Sequence, residues 1–430
     1  MKKFIIYIVG FFFLSIIIIF LILAYLLSTA INESTKESEI IKSVTQEHEF
    51  NIFNWERENF FDKWISYINP FDNHKKITSS EQLLRYFSLT ESININENLY
   101  AKLFTENLDL GYKIKKGEID PNVANIKINK INSEIELLLE KITKDKIIKN
   151  EKKLHVEQFL EENISSVIQS DEVNIFDNIF YVPVDFTLGE TPKLLVVSPR
   201  DKIYRQEDKL LDSNISLEDI NNMEVSLLEK NNLSAIVVST GGVSTYPSMV
   251  SEGDLLYILQ TAAHEWLHNY LALFPLGRSY FTSTEMQSIN ETICDIFGDE
   301  VGMIAYKKIM GNKIDPEINQ TKNIDNEFNF SLFMKDTRLK VEKLLSEAKI
   351  LESESFMDNQ RMLLSSKGYD IRKINQAYFA FYGTYGGNPE SSNNYYDHLV
   401  QIRKKYENLG DMIHKIKYVD NIEKINDLLE

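Results

Sequence analysis

Two histidines and a glutamate stand at metal-site spacing in the middle of this chain, in His264-Glu265-Trp266-Leu267-His268. On a helix, residues four apart lie one above the other on the same face. Both imidazoles can therefore reach one metal ion. Glu265, offset around the helix, can act on a water at that metal without binding it. Histidine is scarce, 7 in 430 residues, which gives the pattern weight. The plain alternative is a helix with two histidines half-buried against a core. A second pattern follows in Asn290-Glu291-Thr292-Ile293-Cys294-Asp295. Structural zinc sites close with four protein ligands, whereas catalytic sites use three and keep one position for water. Glu291, 23 positions beyond His268, is the candidate third ligand. Asp295 lies one helical turn further on the same face, placed to accept the second ring N–H of a ligand histidine, with His264 the first choice. Cys294 reads as a buried inert thiol, because a fourth ligand would displace the water.

H-E-x-x-H followed downstream by N-E-x-x-x-D resembles the gluzincins, the thermolysin-like and aminopeptidase N-like zinc peptidases. The resemblance covers residues 230–310 or so. It implies one zinc ion on His264, His268 and Glu291, with Asp295 as outer-shell partner and Glu265 as general base. It also implies a peptide or protein substrate, and a zincin-like α/β unit carrying the metal helix ahead of a helical unit. It does not reach specificity. The ligand spacing is longer than thermolysin's, and the aminopeptidase G-x-M-E-N motif is replaced by Ser239-Thr240-Gly241-Gly242-Val243. The group supplies its oxyanion donor as a Tyr or His from a later segment. Only His398 and His414 follow the metal helix as histidines, whereas Tyr378, Tyr382 and Tyr385 share one helical face ahead of a Gly-rich loop. Tyr382 is the expected donor, although each of the three also fits an aromatic core stripe.

The elements that must position these residues are readable in part. Ser251, with Asp254 three residues on, suits the start of the metal helix, and Pro275 its end. The second helix is predicted to start near Thr282, with Glu285 completing a capping box, and to end at Gly311. Gly298 and Gly302 inside it cost helix propensity, and a close helix–helix approach explains them. Upstream, Leu194–Val197 and Ala235–Val238 read as short buried strands bounded by Pro199 and Gly241-Gly242. The Gly241–Tyr246 stretch is the candidate strand edge for holding an extended peptide, with an ordinary core strand and turn as the alternative. Gly241, Gly242, Arg278 and Tyr385 are candidate substrate contacts. Tyr280, beside Arg278 in the loop after Pro275, is also placed to contact substrate, but a plain surface loop is the preferred reading of both.

The remaining chain sets the surroundings. Phe4 to Leu27 is 24 residues without a charge, preceded by Lys2 and Lys3, and long enough to cross a bilayer. It reads as an uncleaved signal anchor, with the N-terminus cytoplasmic and the body, from about Ser28, extracytoplasmic, whether periplasmic or extracellular. Cys294 is alone, so no intramolecular disulfide forms and stability must come from a core, for which 43% apolar content is ample. The net charge of −17 with no basic stripe excludes nucleic-acid binding as a function class. The layout expected is a transmembrane anchor over 1–28, a helical region over 29–170, a catalytic α/β region over 171–330 and a helical region over 331–430. The fold class is thus α+β, predominantly helical. Glu39 to Tyr67 reads as an amphipathic stretch with Trp55 and Trp64. Ile131 to Val167 is a long charged helical stretch, either a stalk or a layer on the catalytic unit. Gly383 to Asn394 is loop-like. An intramembrane protease is excluded because Glu252 and Asp254 precede the motif helix and only one span exists. A membrane-anchored scaffold with an unused metal site, and a zincin-type hydrolase of a non-peptide substrate such as an epoxide, remain as alternatives.

Overall fold

The structure, a computed structural model, describes residues 36–59, 80–170, 173, 175, 182–311, 328–391 and 395–430. The apolar stretch 4–27 and residues Trp64 and Tyr67 lie outside the described residues. No helix among the described residues is long and apolar enough to cross a membrane. The described chain is predominantly helical with two small sheets, an α+β architecture. In order it forms α1 (Lys36–Thr45), α2 (Ser80–Lys115), α3 (Pro121–Ile168), β1 (Phe186–Gly189), β2 (Lys193–Pro199), β3 (Glu207–Leu211), α4 (Leu217–Asn231), β4 (Leu233–Ser239), β5 (Gly242–Val243) and β6 (Ser248–Ser251). There follow α5 (Leu255–Leu271), α6 (Pro275–Arg278), α7 (Thr284–Met310), α8 (Phe330–Ser346), α9 (Ile350–Ser366), α10 (Gln376–Tyr382), α11 (Tyr395–Lys404), α12 (Leu409–Ile416) and α13 (Ile422–Leu429). The amphipathic stretch that begins at Glu39 is not one helix. It breaks after α1, where Glu49 bridges to Leu211 beside β3, and turns helical again over 52–59.

The charged stretch 131–167 is one unbroken helix that starts earlier, at Pro121. Asp120 caps it, accepting from the backbone N–H groups of Asn122 and Val123. With α2 it forms an antiparallel hairpin, cross-linked by Lys146–Glu97 and by Asn107 on Asn132. Leu83 and Tyr86 of α2, with Val156, Leu160 and Ile164 of α3, enter the same core as the metal helix. The base of the hairpin is therefore a layer on the site-bearing unit. Ile93, Leu110, Ala124 and Ile131, further out, are not part of that core.

Sheet β3-β2-β4 is antiparallel and shows period-2 burial in both directions. Leu194, Val196, Ile236 and Val238 pack against α8, α9 and α10, whereas Leu195, Val197, Ala235 and Val237 pack against α1 and α4. These are the apolar runs read from the sequence, buried on both faces. Sheet β1-β6-β5 is smaller, with β1 parallel and β5 antiparallel to β6. The outward N–H groups of β1 are already taken: Phe186 donates to Glu161 at 2.9 Å and Leu188 to Glu157 at 2.7 Å, both from α3.

The helix limits near the metal motif shift slightly from those expected. Asp254, not Ser251, caps α5 by accepting from Tyr257 N, because Ser251 still pairs in β6. Helix α5 ends at Leu271, and Pro275 instead opens the one-turn α6, where its missing N–H is harmless. Ser283 rather than Thr282 caps α7, since the Thr282 hydroxyl donates to Ser279 O; Gly311 follows the helix at φ 81° as expected. The close helix approach is present: a Cβ on Gly298 would lie 2.7 Å from Gln260 O and 3.1 Å from His264 Cβ, and one on Gly302 2.6 Å from Gln260 Cγ.

One buried carboxylate ties the sheet to the C-terminal helices. Glu224 of α4 accepts from Val237 N at 2.9 Å and from both terminal nitrogens of Arg372, with Lys373 beside it. Burial alone would raise its pKa, but Arg372 and Lys373 outweigh that and hold it below its ordinary 4.5. The stability it contributes is therefore complete above about pH 4.5 and is lost as pH falls through the lower folded value. Glu224→Ala should cost about 3 kcal/mol at pH 7, by leaving Val237 N unpaired and two cations uncompensated. In chemical denaturation the gap between variant and wild type should shrink below pH 4. A gap that persists undiminished in acid would refute the ionised anchor.

Candidate metal centre

Helix α5 presents His264 and His268 on one face, and α7 presents Glu291 opposite. The two Nε2 atoms are 3.0 Å apart, and each lies 3.5 Å from Glu291 Oε2. The three donor atoms form a group close enough to hold one metal ion. Asp295 Oδ1 is 3.0 Å from His264 Nδ1, which turns Nε2 toward the centre of the group, as expected from the spacing. Cys294 stays outside: it is fully buried in the core, and its thiol faces Asn290 Oδ1.

Glu291 is held from both sides. Its second oxygen, Oε1, accepts the Tyr280 hydroxyl, which itself accepts from Gln287 Nε2 at 3.2 Å. Only Oε2 is thus left to the histidines. Burial alone would push Glu291 up and His264 down. The histidines hold Glu291 well below the usual carboxylate range, and Asp295 and Glu291 hold His264 well above the usual imidazole value. Burial and the Glu291 charge push the Tyr280 phenol far up, so it stays a donor. From the sequence Tyr280 was readable as a surface-loop residue or a substrate contact, not as a partner of Glu291. Its role as the partner of Glu291 depends on how the segment after α6 folds back, which no local pattern encodes.

Glu265 lies beside this group rather than in it. It is 6% exposed, and its Oε2 accepts the Ser244 hydroxyl. The backbone of Gly242 covers it so closely that a Cβ there would lie 2.7 Å from Glu265 Cγ and 2.8 Å from Cδ. Strand β5, the free edge of its sheet, thus borders the carboxylate. The cleft in front of the donors measures about 780 Å³, and Gly241, Gly242, Tyr382 and Tyr385 all line it.

The later residues divide. Tyr378 faces away and donates to Glu390 at 2.8 Å. Tyr382 lines the cleft but packs on Tyr378, ring centroids 4.5 Å apart; after burial, the charge it feels is that of Glu390. Tyr385 lies beyond the end of α10, and burial and the Glu291 charge push its phenol far up, with Arg205 acting in the opposite sense. Of the three tyrosines, Tyr385 is the one that feels the Glu291 charge. His398 sits on α11 and His414 on α12, where it meets Lys417; neither is among the residues lining the cleft. Arg278 is exposed and also stands apart from the lining residues.

No family model, no curated protein and no solved structure matches this chain.

Proposed function

We propose that this chain is a zinc metallopeptidase, held to a membrane by its N-terminal apolar segment, that hydrolyses peptide bonds with Glu265 as general base. The observation that carries the reading is the convergence of two imidazoles and one carboxylate on a cleft, with a separate carboxylate beside them. Donors at 2.0–2.1 Å around a tetrahedral zinc stand about 3.3 Å apart. The separations of 3.0, 3.5 and 3.5 Å fit that ion. Three ligands with an outer-shell aspartate suit a catalytic site, because one coordination position stays free. Bound there, zinc supplies Lewis acidity that acidifies water and polarises a carbonyl.

The chain's own groups supply the rest. Glu265 takes the proton of the attacking water and delivers it to the leaving amine. Ser244 and the Gly242 backbone fix the direction of its carboxylate from the strand side. An extended peptide can add to the open edge at β5 through main-chain hydrogen bonds, which would lay it along the donors. Tyr385, protonated beside the Glu291 charge, is the donor for the oxyanion that forms on the peptide carbonyl.

Glu265→Gln should lower kcat by two to four orders of magnitude, about the worth of a general base, while one zinc per chain is retained. Glu291→Ala should weaken zinc binding by more than about a hundredfold, since loss even of an outer-shell partner costs about ten- to a hundredfold. Zinc analysis together with peptide hydrolysis decides both, and a Glu265→Gln protein that binds no zinc would remove the general-base role. Tyr385→Phe should cut kcat about a hundredfold or more, with Tyr382→Phe close to wild type. The reverse ranking would return the donor role to Tyr382. Deletion of residues 1–28 should move the protein from the membrane fraction to the soluble one. Continued retention at the membrane would exclude that segment as the anchor.

A further inference from the structure

Arg205 is a cation in the cleft wall that the chemistry above leaves unused. It stands just ahead of β3, and its side chain is 7% exposed. Asp208 takes one edge of the guanidinium, with Nε at 2.7 Å and Nη2 at 2.6 Å from the same oxygen, Oδ2. Phe381 lies against it, the ring centroid 5.2 Å from Cζ. The remaining end, Nη1, is buried and meets no acceptor among the described residues, and Asp208 Oδ1 is buried without a donor among them. Both residues line the metal cleft. Among the described lining residues Arg205 is the single Lys or Arg, in a wall that also carries Asp208, Glu265, Glu291, Asp295 and Asp299. It lies within electrostatic reach of Tyr280 and Tyr385, the tyrosines coupled to Glu291.

Buried polar groups are almost always partnered, so an orphaned pair in a cleft calls for an occupant. A guanidinium end is a planar fork that matches a carboxylate. The orphaned acceptor on its counter-ion calls for an N–H close by. The last residue of a peptide carries that combination, a carboxylate and an amide N–H on one Cα. An internal residue offers no backbone charge for the fork. Resting on the peptidase reading, we propose that Arg205 and Asp208 form a specificity site for the free carboxyl terminus of the substrate, so that the enzyme cuts peptides close to their C-terminal end.

The test uses the zinc-loaded full chain and peptides of one sequence that end either in a free carboxylate or in a carboxamide. Wild type should prefer the carboxylate by about tenfold or more in kcat/KM. Arg205→Met should bring that ratio close to one, and Arg205→Lys, which keeps the charge without the fork, should fall between. The ratio is taken within each variant, so partial loss of fold does not imitate the effect. Binding of the same fluorescent peptides to Glu265→Gln, read by anisotropy, should show the same ranking without turnover. Equal handling of both endings by wild type, or a preference that survives Arg205→Met, overturns the carboxylate assignment alone. An Arg205-dependent preference that follows an internal Asp or Glu overturns the terminal one. If neither ending is bound or cut, the peptidase reading fails and this inference falls with it.

Discussion

Helices α5 and α7 meet almost backbone to backbone, and the site depends on that approach. Packed helices ordinarily stand 8–10 Å apart, a distance set by the side chains between them. Here the intervening positions on α7 are Gly298 and Gly302, where a Cβ would fall within 3 Å of Gln260. Each glycine costs about 1 kcal/mol of helix propensity against alanine. The cost is met by the large shared core, in which Ile258, Leu259 and Ala262 of α5 join Ile293, Phe297 and Val301 of α7. Glu291, Asp295, Gly298 and Gly302 recur at steps of four, three and four, so they form one stripe of α7. The stripe that carries the candidate third ligand Glu291 and Asp295, the partner of His264, also carries the clearance that brings them to His264.

The same helix anchors the wall on the other side of the cleft. Ser288 donates to Thr384 O at 2.6 Å, and Gly386 N donates to Thr292 Oγ1 at 3.0 Å. Both contacts flank Glu291 along α7, and both hold the segment that contains Tyr385. Helix α10 enters this segment from the sheet, where Asn375 caps it and donates to Ala235 O. Arg372 and Lys373, three and two residues upstream of Asn375, fix that entry by binding Glu224. Tyr385 is thus located from both ends by buried polar contacts, and its ring also packs on Phe381, centroids 5.7 Å apart. A side chain held in this way suits the hydroxyl-presenting role proposed for it.

What the sequence disclosed follows from how local each interaction is. The candidate ligands were legible because His264 and His268 share one helical turn, and Glu291 stands at i−4 from Asp295, the partner of His264. The strands at Leu194 and Ala235 were legible because both faces are buried, which makes the runs continuous. The caps slipped by one to three residues, since Ser251, Asp254, Thr282 and Ser283 are all competent and only the path of the preceding strand or turn selects among them. The choice between Tyr382 and Tyr385 rested on one assumed helix face. Helix α10 ends at Tyr382, so Tyr385 leaves that face and follows the turn instead. Ser244, Tyr280, Arg205 and Glu224 carried no local signal, because each acts on a residue at least one element away in the chain or, for Arg205, within a wall built from several.

The two edges of the small sheet are treated in opposite ways, which bears on how a substrate would lie. An exposed strand edge invites pairing, and proteins usually block it. At β1 the block is direct, with Glu157 and Glu161 occupying the N–H groups that another strand would need. At β5 no such carboxylate intervenes among the described residues; the bordering acid is Glu265, which is engaged with Ser244 and lines the cleft. Blocking β5 from α5 would have placed a side chain where Gly242 now meets Glu265. On the proposed peptidase reading, the glycine at that position would keep two requirements compatible: an edge able to pair with an extended chain, and a carboxylate near enough to that chain to reach the bond it presents.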